Sequence, residues 1–240
     1  DKDKSSAKKY YDKVLAVDPK NEKALLNSGV LRIEQGDTSG AVEFLERYVA
    51  SYPDSVRGRM NLGILYDKTG RFHDALMQFT KILSVDSSNI EALQSLGALY
   101  FKRKVYMESN TIFEKAQKIR HSIPVSIGLA LGYHYEKEPE KSLSVLENTL
   151  LKAKEDAYML RLLMADISFV AGRHEAAIEY CKMAHELKGE KHVEQEIVNA
   201  VYRTKGTNTS VFLHDESMPS EIPLYKPGSI IKIFRNGLGE

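Results

Sequence analysis

The chain has a single cysteine, Cys181. One cysteine excludes an intrachain disulfide and leaves the redox compartment open. No apolar run approaches ~18 residues, which excludes a membrane span. Charge of one sign is also missing: 34 lysines and arginines face 33 acidic residues, for a net charge of +1. Nucleic acid therefore gains nothing from bulk electrostatics, and no basic run or aromatic platform offers a local site. His174, His185 and His192 lack the compact spacing of a zinc site. There is no glycine-rich phosphate loop, because Gly237-Leu238-Gly239 lies at the chain's end and precedes no helix. No metal or cofactor is implied. Asp1-Lys2-Asp3-Lys4 is not the start of a signal peptide.

What is present is a period. Between Val56 and Ser88 stand Leu62-Gly63, Tyr66, Gly70, Ala75, Phe79 and Ile82. Thirty-four residues earlier the skeleton reads Ser28-Gly29, Gly36, Ala41, Leu45 and Pro53. Thirty-four residues later it reads Leu96-Gly97, Tyr100, Phe113 and Ala116. Leu62, Gly63 and Tyr66 share one helix face at 3.6-residue spacing. Gly63 lets a neighbouring helix approach, at a propensity cost of ~1 kcal/mol relative to Ala. Gly70 suits a left-handed helix end. Ala75, Phe79 and Ile82 form the stripe of a second helix. Two such helices cannot bury both stripes alone, so roughly three or more units must stack.

A 34-residue period with Gly, Tyr, Ala and Phe at constant offsets resembles the tetratricopeptide repeat. Over about residues 5–189 the resemblance implies an all-α, right-handed superhelical solenoid of antiparallel helix pairs. It predicts a half repeat over 5–21 (second helix only) and five repeats over 22–189. A capping helix is predicted over 190–203, carrying Val193, Ile197 and Val201, followed by an extended tail over 204–240.

Units 22–55, 56–89 and 90–123 are the clearest. Pro19 and Pro53 close two units; Ser87 and His121 take that place later. Lys104 replaces Gly36 and Gly70, and Ser109 stands where alanine is expected. In the fifth unit, about 125–157, Leu131-Gly132 and Tyr135 align with Leu62-Gly63 and Tyr66, and Leu143, Leu146 and Leu150 form the second stripe. The sixth, about 158–189, repeats Gly70-Arg71 as Gly172-Arg173, with Arg161 at an expected apolar position. The start looks cut, because Ala7, Tyr11, Val14 and Pro19 match only second-helix positions. Helix 5–17 is therefore expected to expose Tyr10, Val14 and Leu15. Either more protein precedes Asp1, or this face meets another molecule.

In this family the first helices line a concave groove, through their second, fifth, sixth and ninth positions. The resemblance places Lys23, Asn27, Arg57, Asn61, Gln94, Ser95 and Tyr133 there. Asn27 and Asn61 are the sharpest signal, since an amide offers two donors and an acceptor to a peptide backbone. Helices pack ~8–10 Å apart, and an extended chain rises ~3.3 Å per residue. Asparagines one repeat apart can therefore hold a peptide at about every third residue. Lys23 and Arg57 beside them favour acidic groups. Leu129, Met159 and Leu163 further along read as ordinary packing. The family's clamp for chaperone-tail carboxylates needs Lys at the fifth and Asn at the ninth position. Leu26 and Val30 stand there instead, so that binding is not expected.

Cys181 and His185 lie four apart on a helix, but nucleophilic catalysis also needs an orienting group and an oxyanion site. Cys181 falls at the repeat's buried aromatic position, so it reads as core and the chain as no enzyme. From Thr204 the pattern changes to a breaker-rich linker, three prolines and the strand-like Ile230-Ile231-Lys232-Ile233-Phe234. The tail either fills the groove, packs on the capping helix or convex face, or begins another domain or adds a strand to a partner's sheet. The function predicted is an adaptor that holds a partner protein's extended or helical segment in its groove. The rival is a self-assembly module in which the first helix, through Tyr10 and Val14, and the tail join copies into a homo-oligomer.

Overall fold

A computed structural model describes residues 2–152 and 157–187. The predicted capping helix and tail lie outside the described residues. Eleven α-helices and no strand are found among them. The chain divides into two compact units, Asp1–Arg103 and Lys104–Glu240.

The first unit holds α1 (Lys2–Val17), α2 (Glu22–Glu34), α3 (Thr38–Ser51), α4 (Val56–Lys68), α5 (Phe72–Val85) and α6 (Ile90–Lys102). Capping side chains start the first helices at a 34-residue interval. Asn21, Ser55 and Asn89 accept hydrogen bonds from the backbone N–H of Ala24, Gly58 and Ala92, at 3.1, 3.2 and 3.0 Å, satisfying donors a helix start leaves open. Helix pairs α2/α3 and α4/α5 pack as hairpins, and α1, α3 and α5 each pack on the following first helix. The stripes meet as expected: Ala41, Leu45 and Tyr48, then Ala75, Phe79 and Ile82, are all at most 2% exposed. Losing the closing proline at Ser87 does not cost the turn. Asp86 Oδ1 accepts from the Ser88 N–H at 3.0 Å, and the Asn89 N–H reaches the Asp86 carbonyl.

The second unit holds α7 (Tyr106–Ile119), α8 (Ile123–Tyr135), α9 (Pro139–Leu150), α10 (Ala157–Val170) and α11 (His174–Leu187). Here small polar residues take apolar places. Ser142 is fully buried, and its hydroxyl donates to the Ala130 carbonyl at 2.6 Å. Thr149, also fully buried, donates to the Val145 carbonyl at 2.8 Å. A Cβ on Gly128 would stand 2.7 Å from the Phe113 ring, and one on Gly132 would run into Asn110. The two glycines, one helical turn apart, let α7 lie close against α8.

The turns inside the hairpins share one backbone conformation. Gly36, Gly70 and Gly172 have φ of 76°, 75° and 77°, and Lys104 and Lys137 both have φ of 62°. Lys137 thus occupies the fifth turn, 67 residues after Gly70. That corrects the fifth unit's alignment by two residues. Tyr133, not Tyr135, is the counterpart of Tyr66: the Tyr66 hydroxyl donates to Glu46 and that of Tyr133 to Glu114. Gly132 faces Asn110 of α7 and not its own second helix. The fourth repeat is one residue short, which moves α8 forward.

Two further expectations differ from the structure. Leu15 is 9% exposed, hence buried, because it stands where α1 meets α2. Arg161 is no register fault. It matches Arg59, and each reaches its own second helix: Arg59 Nη1 to Gln78 at 2.9 Å, Arg161 Nη1 to the Met183 carbonyl at 2.8 Å.

Candidate functional site

The first unit repeats one short pattern on three first helices. At residues i, i+4 and i+7, which share a face, α2 carries Lys23, Asn27 and Val30; α4 carries Arg57, Asn61 and Ile64; α6 carries Glu91, Ser95 and Ala98. Lys23, Arg57 and Glu91 are exposed. Asn27, Asn61 and Ser95 are half-buried. Ile64 is 45% exposed, unusual for so large an apolar side chain. The helices stand side by side, as Ser95 Oγ lies 3.8 Å from Met60 Sδ.

Among the described residues, the cations and amides on this face of α2 and α4 are not used to hold the fold. Among the described residues, the side chains of Lys23, Asn27, Arg57 and Asn61 make no hydrogen bond, ion pair or ring contact. Other cations of this unit do. Arg32 pairs with Asp37 at 2.7 Å and lies over Phe44, Arg71 pairs with Asp74 and lies over Tyr66, and Arg103 lies over Phe72. The Arg32 guanidinium and the Gly40 N–H hold Asp37 below the usual carboxylate range, the backbone bond being the larger cause. A half-buried amide with no internal partner retains its full capacity for a ligand.

The remaining expected residues separate from this set. Position five is packed: Leu26 and Met60 are 7% and 9% exposed, and Gln94 at the same place is half-buried. Tyr133 lies in the second unit, with its hydroxyl given to Glu114 of α7 and Lys141 over its ring. Burial and the Glu114 carboxylate push its phenol well above the usual range. On α1, Tyr10 is 65% exposed and Val14 half-buried. Ile64 was not singled out from the sequence, although its place at position nine was a sufficient signal.

Cys181 is wholly buried at the position of Phe79, and burial pushes its thiol up to about 12. It has no access to a substrate and no thiolate at neutral pH. Among the described residues no group of histidine, cysteine and carboxylates could hold a metal ion. No helix among them is long and apolar enough to cross a membrane.

Residues 1–64 match the tetratricopeptide repeat family. Among solved structures, a crystal structure of MamA is 21% identical with a TM-score of 0.64, over 71% of this chain and 93% of that one. MamA from Desulfovibrio magneticus RS-1, residues 41 to the end, is 17% identical with a TM-score of 0.64, over 71% and 97%. A tetratricopeptide repeat protein from Parabacteroides merdae ATCC 43184 is 19% identical with a TM-score of 0.64, over 98% and 93%. No curated protein matches the sequence. At these identities the solved structures show the fold alone: the helix pairs of this chain have the fold of tetratricopeptide repeats, and residues 1–64 match the family itself.

Proposed function

We propose that this protein is a non-enzymatic adaptor that holds an extended segment of a partner protein against α2, α4 and α6. The observation that carries the reading is the pair Asn27 and Asn61. They occupy equivalent places one repeat apart, half-buried and without internal hydrogen bonds among the described residues. Their amides would pair with the backbone of the bound segment, which sets its direction and register without selecting side chains. Selectivity would come from the flanking rows. Lys23 and Arg57 on one side attract an acidic group, and Glu91 repels one further along. Val30 and Ile64 on the other side accept an aliphatic side chain. The segment predicted is extended, with an acidic residue toward α2 and α4 and apolar residues at alternate positions.

Selection of random-sequence peptides on the immobilised chain tests this. Enrichment of acidic, apolar-alternating peptides on the parent, absent with Asn27→Ala/Asn61→Ala, supports it. Equal enrichment on both chains removes the groove as the site.

A second reading rests on α1. Ala7, Tyr11 and Val14 stand where Ala41, Leu45 and Tyr48 are buried, yet they are half-exposed, and Tyr10 is 65% exposed. In this reading a second copy covers that face. Light scattering across a concentration series would then show dimers that Tyr10→Ser/Val14→Ser abolishes, and a persistent monomer removes the reading.

A further inference from the structure

The first unit has six arginines, and five of them are engaged. Arg32 pairs with Asp37 and Arg71 with Asp74. Arg47 donates to the Pro19 carbonyl, and Arg59 to the Pro53 carbonyl and Gln78. Arg103 lies over the Phe72 ring. Arg57 is the exception. It is exposed, and among the described residues its guanidinium meets no acceptor, carboxylate or ring. Lys23, at the same place one repeat earlier, is equally exposed and equally free. Carboxylates are close in sequence, Glu22 beside Lys23 and Asp54 three residues before Arg57, yet neither forms an ion pair with these cations. The Glu22 carboxylate accepts from the Tyr48 hydroxyl instead, at 3.3 Å. One turn further along the same faces stand Asn27 and Asn61. Each of the two helices thus presents a cation and an amide that the fold does not use.

Resting on the reading that α2 and α4 hold an extended segment, we infer that the acidic group of that segment is a phosphoryl group, shared between Lys23 and Arg57. The partner is then recognised as a phosphorylated peptide. A carboxylate brings one charge and two oxygens, which the planar fork of Arg57 satisfies alone. Lys23 would be left without a counter-charge. A phosphoserine carries about −1.5 to −2 charge at pH 7 and three strong acceptor oxygens. The Arg57 fork takes two of these oxygens and the Lys23 ammonium the third, so both cations are neutralised by one group. Helices that touch lie ~8–10 Å apart, as α4 and α6 do, and α2 repeats the pattern of α4 34 residues earlier. Lysine and arginine both have long flexible stems, so their charged ends can close over a group held between two such helices. Asn27 and Asn61 remain available to the peptide backbone on either side of it. Glu91 occupies the same place on α6 and repels a phosphoryl group there. That confines the modified residue to the step from α2 to α4 and sets the register of the segment.

The test is a peptide library with one fixed position that holds serine, glutamate or phosphoserine in equal amounts, flanked by random residues and selected on the full chain. Phosphoserine members are expected to be enriched over glutamate members by at least ~tenfold, the worth of one added charge-assisted hydrogen bond. The preference is lost in Lys23→Gln/Arg57→Gln, with helicity and urea stability unchanged because neither side chain holds the fold. Arg57→Lys, which keeps the charge and removes the fork, keeps only part of it. Equal enrichment of glutamate and phosphoserine overturns the inference and leaves the acidic-segment reading standing. No enrichment of either on the parent chain removes that reading as well. A phosphoserine preference that survives Lys23→Gln/Arg57→Gln places the phosphoryl group elsewhere and overturns the inference. So does displacement of a selected phosphopeptide by an equal concentration of inorganic phosphate, since the peptide would then contribute nothing.

Discussion

Replacing Gly63 by alanine adds one methyl group where two helices cross, and the structure sets the cost. The new Cβ would lie 2.6, 3.0 and 3.1 Å from three carbons of the Phe79 ring, itself 1% exposed and unable to withdraw. Overpacking of this kind costs ~1–3 kcal/mol. Alanine recovers ~1 kcal/mol of helix propensity, which leaves a net loss of about 1 kcal/mol. The same crossing is built differently in other repeats: Gly29 faces Leu45, Ala130 is matched with Leu146, and Ala165 with Cys181. A larger residue on the first helix goes with a smaller one on the second. Phe79→Leu alone opens a small void, worth about 1 kcal/mol. The double variant Gly63→Ala/Phe79→Leu recreates the Ala130–Leu146 pair, so the methyl group fills part of that void and the clash disappears. Urea unfolding of the four chains gives the coupling. It is predicted to favour the double variant by at least ~1 kcal/mol. Effects that add to within ~0.5 kcal/mol would refute volume exchange at this crossing.

Three other predictions follow from single residues. Lys137 is exposed with φ of 62°; Lys137→Gly relieves ~1–2 kcal/mol of left-handed strain against ~0.5–1 kcal/mol of unfolded-state entropy. Urea melts are expected to show a gain of about 0.5–1 kcal/mol, and a loss would mean the lysine side chain supports the turn. Burial pushes the His134 imidazole down to about 4, so the unfolded chain takes up this proton near pH 6.5 and the folded chain does so only near 4. The group's contribution is complete above pH 6.5 and is lost as pH falls to 4, about 3 kcal/mol in all. Stability at pH 7 and pH 4.5 is expected to differ less in His134→Leu than in the parent, and an equal difference in both would exclude His134 as the source. Finally, Cys181 is expected to resist a thiol reagent at pH 8 until denaturant unfolds the second unit, whereas rapid labelling of the native chain would contradict its burial.

The hairpins of the first unit were legible because their signals are local and repeat at a fixed interval. Gly36 and Gly70 turn, Ala41 and Ala75 admit a neighbour, and Leu45 and Phe79 fill the gap. The fifth unit read two residues out of register for an equally local reason. Its left-handed turn is made by Lys137, which carries no glycine signature, and the repeat before it is one residue short. Leu15 was expected on the exposed stripe because single-helix spacing does not reveal which face the next hairpin covers. Asn27 and Asn61 were legible as a pair by their repeat position, but their lack of internal partners is a property of three-dimensional packing. On α10, Met159 and Leu163 read as ordinary packing and are 6% and 2% exposed, while no pattern marked Asp166, 0% exposed, as the buried member of their row.

The central claim is that Asn27 and Asn61 hold the backbone of a bound segment. The most direct measurement is a fluorescence anisotropy titration of a selected acidic, apolar-alternating peptide against the full chain and against Asn27→Ala/Asn61→Ala. Two lost backbone hydrogen bonds at ~0.5–1.5 kcal/mol each predict an affinity loss of roughly tenfold or more, with helicity and urea stability unchanged. Equal affinity in the two chains, each folded to the same extent, would contradict the account.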